Sequence, residues 1–404
     1  MAPRPRETCG PATRPDCSPA CPAWYGRGAA ATPRPDSGRA AVLPGRAAGV
    51  TVEVWGSEGV STVRALVYHG PSQASWDTAP DPVIEEPGDA IVRIDATTVC
   101  GTDLHIRRGD LPEVKPGTVL GHEAVGEVVE VGGEVHHLRP GDQVIVSAVS
   151  SCGDCGECRD ARYGQCRGGG GWILGNLING THAELVRVPF ADHSTTRRPC
   201  CLPLDDAVLL AELLPTAYEV GVRNGHVCPG DTVVVVGAGP VGLATAVVAR
   251  LYSPRRVIVV DLADARLETA LRVGADAAES PGRMIADLAE GPGADVVVEA
   301  SGDPDGFVLC TRAVRTGGHI ANIGTHGRPA TLHLESLWRK NVTISMGQVD
   351  TSSTPRLLEL MRSGRLPVCG LVTHTFGLER MEDAYEVFAH GTATGSLKIV
   401  LHRE

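Results

Sequence analysis

The stretch from Thr232 to Asp261 constrains the fold more tightly than any other part of the chain. Valines at 233–236 run into Gly237-Ala238-Gly239-Pro240-Val241-Gly242, and a helical pattern opens directly behind them. A strand, a glycine turn and a helix in that order suit a tight phosphate-binding bend. The first glycine permits the turn and the second lets backbone approach a pyrophosphate. The third allows helix and strand to pack closely, while the helix N-terminus offers unpaired N–H groups. Taken alone, a glycine-rich structural turn is a fair competitor. A second apolar strand candidate, Arg256–Val260, decides between them by ending at Asp261, nineteen residues after Gly242. A carboxylate there would accept hydrogen bonds from the ribose hydroxyls of NAD and repel the 2′-phosphate of NADP.

Further strand candidates at 295–299 and 319–323 alternate with helical segments such as 241–251 and 264–273. Such alternation implies a parallel sheet with helices on both faces. The stretch from Val63 to about Val188 has a different texture, with short strands (64–68, 90–94, 126–131, 143–146) separated by Gly and Pro turns. It reads as a β-rich domain. The segment from Thr232 to Ala249 is uncharged, but Gly237, Gly239, Pro240 and Gly242 suit a strand and turn better than a lipid-facing helix.

Cysteines carry the second strong signal. Thirteen are too few to scaffold 404 residues with disulfides, yet Cys152, Cys155, Cys158 and Cys166 fall within fifteen residues. Four soft thiolates in a compact loop make a closed tetrahedral zinc site, with an iron–sulfur cluster or redox disulfides as alternatives. The clustering and the lack of a secretory signal imply a reducing, cytoplasmic setting. With 37 basic and 48 acidic residues the net charge is −11, which argues against binding nucleic acid or an anionic membrane. Residues 1–62 stand apart. The first 50 hold nine prolines and seven arginines without periodicity, and read as a disordered tail or a start assigned too far upstream.

A more dispersed constellation starts at Cys100-Gly101-Thr102-Asp103-Leu104-His105 and continues at Gly121-His122-Glu123. A thiolate and an imidazole are two zinc ligands; a third from elsewhere would leave one position open for substrate. Singly, Cys100 could be a core cysteine and His122 a satisfied loop histidine.

Together these elements resemble the zinc-dependent medium-chain alcohol dehydrogenases, over about residues 63–404. The resemblance rests on Gly121-His122-Glu123-x2-Gly126-x5-Gly132-x2-Val135, the four-cysteine lobe, the glycine turn and their order. Leu213-Leu214-Pro215-Thr216, Leu337-Trp338 and Gly347-x-Val349-Asp350-Thr351 are similar to NAD-linked members acting on simple alcohols. The resemblance implies an α/β two-domain fold. A β-rich GroES-like catalytic domain would span 63–213 and 347–404, with a structural-zinc lobe at 152–166. A doubly wound Rossmann cofactor domain would span 214–346.

The resemblance also implies a role for each matching residue. Cys100, His122 and Glu212 would hold the catalytic zinc, and Asp103 would orient His122 from behind. At the third ligand position this branch usually carries Asp and others Cys, so Glu212 brings an extra methylene. Glu123 would lie behind the metal and could exchange onto it. Thr216 would meet the nicotinamide carboxamide, Val241 would pack on its ring, and Arg266 would sit near the adenosine ribose. Lys398 is where a basic residue meets the pyrophosphate. Gly237, Gly239, Pro240, Gly242 and Asp261 complete the NAD site.

The expected protein is a homodimer or homotetramer with two zinc ions per subunit, one catalytic and one structural. It would interconvert a small alcohol and its carbonyl partner. Thr102 would take the alcohol proton and pass it through the cofactor ribose to His105. A polyol, amino-alcohol or formaldehyde dehydrogenase on the same scaffold is the rival reading, and a catalytically silent NAD-binding protein is the rival of another class. The segment Thr195-Thr-Arg-Arg-Pro-Cys-Cys201 departs from the milder, more apolar connection expected before Glu212.

Overall fold

A computed structural model describes residues 61–289 and 291–404. The expected tail at 1–62 lies outside the described residues except at its last two positions, and the first strand already begins at Thr62.

The alternating segments form a six-stranded parallel sheet. In space its strands run Ala277–Glu279, Arg256–Val260, Thr232–Val236, Ala294–Glu299, Val314–Asn322 and Thr343–Met346. The valine run is continuous because this strand is covered on both faces. Val233 and Val235 pack with Leu243 and Val247, whereas Val234 and Val236 pack with Ile258, Val297 and Ile320. Strand order reverses beside Thr232–Val236. At that switch point Gly237 turns with φ +103°, and a Cβ there would stand 2.8 Å from the carbonyl carbon of Ala300. Helix Pro240–Ala249 follows, with Gly239 at its N-cap and Pro240 in the first helical position, where a missing N–H costs nothing.

The β-rich unit is a seven-stranded sheet, antiparallel except at one pair, with a separate hairpin of Thr62–Gly70 and Gln73–Pro80. Ala90–Thr98 lies at its centre. The C-terminal strand Lys398–His402 pairs antiparallel with it, Val400 opposite Thr98, so the chain returns to the first unit after the parallel sheet is built. One core joins both sheets. It runs from Ala96, Val125 and Ile145 through Leu209, Leu210 and Leu214 to Val233 and Val235.

The Arg-rich connection at 195–201 has a built place. Thr195–Arg197 pairs with Gln143–Val146. Arg197 donates to His137 O and Asp142 Oδ2, and Arg198 to Gln143 Oε1 and Leu202 O. Among the described residues, no helix is long and apolar enough to cross a membrane.

The return crossing at 350–353 is held by a single buried carboxylate. Glu219, in the helical turn Ala217–Arg223, accepts from the backbone N–H of Asp350, Thr351 and Ser353 at 2.9, 3.1 and 2.7 Å. Glu219→Ala strands these three donors and is expected to cost roughly 2–5 kcal/mol, read as a lower midpoint in chaotrope unfolding. Glu219→Gln, which keeps one carbonyl oxygen, should lose less.

Candidate active site

Cys100 closes strand Ala90–Thr98 and caps helix Gly101–Arg108. Its N–H donates to Asp103 Oδ2 at 2.8 Å, which fixes the first helical turn. The cap places Cys100 Sγ and Thr102 Oγ1 together, 3.7 Å apart, and carries His105 to the helix end. His122 follows Gly121, whose φ of +92° suits glycine; a Cβ there would lie 2.4 Å from the His182 ring. Both His122 and Asp103 are buried. His122 Nδ1 faces Asp103 Oδ1 at 3.4 Å, and neither atom makes a hydrogen bond elsewhere.

Glu212 comes from the connection before Leu213–Thr216. Its Oε2 lies 3.3 Å from Cys100 Sγ and 3.2 Å from His122 Nε2. Zinc–ligand bonds of 2.0–2.3 Å in a tetrahedron give ligand–ligand edges of about 3.3–3.8 Å. The observed spacing therefore fits a zinc ion, and Glu's extra methylene does not take the carboxylate out of reach. Glu123 completes the group: one ligand atom each from Cys100, His122, Glu123 and Glu212 lies within 4.8 Å of the others.

The electrostatics point the same way. Burial, reinforced by the charge of Glu212, pushes the Cys100 thiol up to about 11. Burial works against charge on both His122 and Glu212, but opposite charges nearby outweigh it. Asp103 first and Glu212 second hold His122 well above its ordinary value, while His122 draws Glu212 down to about 2. Burial lifts Glu123 to about 8 despite Lys398 beside it. A divalent cation would reverse the direction for the Cys100 thiol and Glu123 and reinforce it for Glu212.

Lys398, expected at the pyrophosphate, lies beside the metal-ligand cluster. It is 2% exposed, and its Nζ bonds Glu123 Oε1 at 2.5 Å and Val99 O at 3.2 Å. Strand pairing beside Ala90–Thr98 carries it beneath the metal-ligand cluster, where its charge offsets Glu123.

The lobe cysteines also converge, with their four sulfurs within 4.8 Å of one another. Cys152 Sγ and Cys158 Sγ are 3.9 Å apart, near the edge of about 3.8 Å that a Zn–S bond of 2.3 Å implies. Backbone N–H groups of Cys152, Cys155, Arg167 and Gly168 point at these sulfurs from 3.3–3.5 Å, as suits thiolates. Those from Cys158 and Arg167 draw Cys155 down to about 6.

At the glycine turn, Asp261 accepts from Ala238 N at 2.7 Å and Ala263 N at 2.9 Å, with Arg266 3.8 Å away. It thus braces the turn, and each carboxylate oxygen keeps further lone-pair capacity for a ribose hydroxyl. A Cβ on Gly242 would lie 1.9 Å from Gly237 O, so that position admits only glycine. Thr216 Oγ1 is buried with no hydrogen-bond partner, and Val241 is half-buried beside the core.

Two neighbours escape a reading by spacing. Trp172 packs edge-on to His122, ring centroids 5.9 Å apart, from fifty residues downstream, and nothing local signals it. Asp110 lies 2.8 Å from His105 Nδ1; an acid five residues after a candidate relay histidine was the available clue.

Comparison with known proteins gives a consistent picture. The chain matches the alcohol dehydrogenase GroES-like domain over residues 86–199 and the zinc-binding dehydrogenase domain over 240–363. It is 32% identical over 366 residues to an alcohol dehydrogenase of Cupriavidus necator, covering 84% of this chain and 98% of that one. It is 33% identical over 314 residues to the NADP-dependent isopropanol dehydrogenase of Thermoanaerobacter brockii, covering 74% and 88%. Among solved structures, zinc-dependent alcohol dehydrogenase 2 from Streptococcus pneumonia matches with TM-score 0.81 and 42% identity over 85% of this chain and 99% of that one.

Cys158→Ser should cost one metal equivalent and lower the thermal midpoint, leaving the Cys100 cluster able to bind its own. Metal analysis beside thermal unfolding checks this; a full metal complement at native stability would remove the tetrathiolate assignment.

Proposed function

We propose that this chain, which belongs to the zinc-dependent medium-chain alcohol dehydrogenase family, oxidises a small alcohol reversibly to an aldehyde or ketone with NAD. The observation that carries the reading is the meeting of Cys100, His122 and Glu212 at zinc-ligand spacing beside Thr102. These three would hold a catalytic zinc, and Cys152, Cys155, Cys158 and Cys166 a structural one. When bound, zinc supplies Lewis acidity at the alcohol oxygen and the nicotinamide supplies a hydride acceptor.

The protein's own groups do the rest. Asp103, facing the rear of His122, orients that ring. Thr102 Oγ receives the alcohol proton, and His105, partly exposed in the last turn of the same helix, releases it. Lys398 holds Glu123 close behind the cluster without adding an uncompensated charge. The turn at Gly237, Gly239, Pro240, Val241 and Gly242 would seat the pyrophosphate, and the unpaired Thr216 hydroxyl would meet the carboxamide. Asp261 would take the ribose hydroxyls and disfavour a 2′-phosphate, with Arg266 beside it. The proposal includes a cytoplasmic homodimer or homotetramer.

Two substitutions test the reading. Glu212→Ala should remove the catalytic metal and turnover while keeping the lobe metal and NAD binding, whereas Glu212→Asp should retain activity. Near-native turnover with both metals in Glu212→Ala would move the third ligand elsewhere, first to Glu123.

The wild type should favour NAD in kcat/KM over a panel of primary, secondary and polyol substrates. Asp261→Gly should narrow the NAD-to-NADP ratio at least about tenfold, a change of some 1.4 kcal/mol. A wild type that prefers NADP would overturn the cofactor assignment.

A further inference from the structure

His105 stands in the last turn of helix Gly101–Arg108, its side chain 15% exposed. Its Nδ1 lies 2.8 Å from Asp110 Oδ2 and 2.9 Å from an Arg108 Nη2, while Arg108 Nε donates to the same Asp110 oxygen at 3.2 Å. A guanidinium has no acceptor and does not give up its proton. Two arrangements are therefore open at Nδ1: the ring N–H donates to Asp110, or a bare Nδ1 accepts from Arg108.

The second arrangement sets a nitrogen lone pair against a carboxylate oxygen. The first sets the ring N–H 2.9 Å from Arg108 Nη2 but makes a charge-assisted bond at the shorter distance, 2.8 Å, while Arg108 keeps its contact with Asp110 through Nε in either case. The first is favoured, so Nδ1 carries the proton and Nε2 presents its lone pair. Backbone fixes both partners: Gly109 turns the chain at φ +84°, and Asp110 N donates to His105 O at 3.0 Å. From the parallel-sheet unit Gly327 closes the far side; a Cβ there would stand 3.4 Å from His105 Cε1 and 3.6 Å from Asp110 Oδ2. That contact is uncharged, which leaves Asp110 and Arg108 as the charged groups against the ring.

The geometry points to Asp110 as a positioning residue that holds His105 in the Nδ1–H tautomer, so that Nε2 is the atom that takes up the departing proton. The inference rests on the reading of His105 as the proton's exit. As the proton arrives, an O–H bond upstream breaks and an Nε2–H bond forms. The ring becomes cationic beside the Asp110 carboxylate, and water then carries the proton away. This is the carboxylate–imidazole arrangement in which the acid sets the tautomer and steadies the charged ring without itself being protonated.

A double-mutant cycle in the metal-loaded enzyme, oxidising one good alcohol with NAD, tests the assignment. His105→Gln should lower kcat about a hundredfold, the low end of what a general base contributes. Asp110→Asn should cause a comparable loss with KM for NAD and metal content unchanged, because an amide can present N–H to Nδ1 and stabilise the opposite tautomer. The double variant should be no slower than His105→Gln, since residues acting as a unit are not additive. Arg108→Gln should stay near native. An Asp110→Asn enzyme with native kcat overturns the proposal, as do additive losses, or a large loss confined to Arg108→Gln. A native rate in His105→Gln would instead remove the relay reading itself. Asp110→Ala, run in parallel, separates tautomer control from a change of packing.

Discussion

The site is governed by a charge problem. Asp103, Glu123, Glu212 and the Cys100 thiol gather in one largely buried place, balanced by the imidazole of His122 and the ammonium of Lys398. Ionised groups cannot be taken out of water unless partners repay the desolvation. Lys398 answers Glu123, and Asp103 takes the Cys100 N–H and faces His122. What remains is a thiol pushed up to about 11 with a carboxylate and an imidazole converging beside it. Such a set is poorly balanced as a structural ion pair and well suited to a divalent cation. The local fold serves that end, through the Cys100 cap, the glycine before His122, and the return of the last strand to the first sheet.

That last feature separates what could be read from the chain from what could not. Cys100, Thr102 and His105 share one short helix, the lobe cysteines share one loop, and Gly237 to Asp261 form one strand–turn–helix–strand unit. Where chemistry is local, spacing reveals it. Glu212 is 90 residues from His122, and only the family resemblance pointed to it. The contact of Lys398 with Glu123 was not legible either, because it depends on the pairing of Val400 with Thr98, some 300 residues apart. Register between distant strands leaves no periodic trace. The run at 195–201 looked foreign for a related reason: its arginines answer Asp142 and Gln143 on a neighbouring strand.

The two units are tied together at places that bear on the chemistry. Glu219 gathers the backbone of 350–353, and Asp350 in turn accepts from Gly164 N at 2.9 Å, inside the cysteine lobe. Val149, Val220 and Val349 pack as one small cluster with Tyr163 and Ile323 against it. The lobe is therefore no detached appendage. It is anchored to the same crossing that returns the chain from the parallel sheet to the ligand-bearing one.

On the proposed reading, the proton leaves at His105 rather than beside the metal-ligand cluster. Beside the Cys100 cap, Asp103, His122 and Glu123 are buried, whereas the His105 side chain keeps partial exposure. Helix Gly101–Arg108 spans that depth, starting at a metal-ligand candidate and ending where Gly327 and Asp110 border the ring. A histidine is suited to the outer position because one nitrogen can be fixed by a carboxylate while the other stays available. That pair sits where the two units meet, with Gly327 of the parallel-sheet unit against the ring. On that reading the short helix would set both ends of the reaction, the oxygen that is polarised and the water that receives its proton.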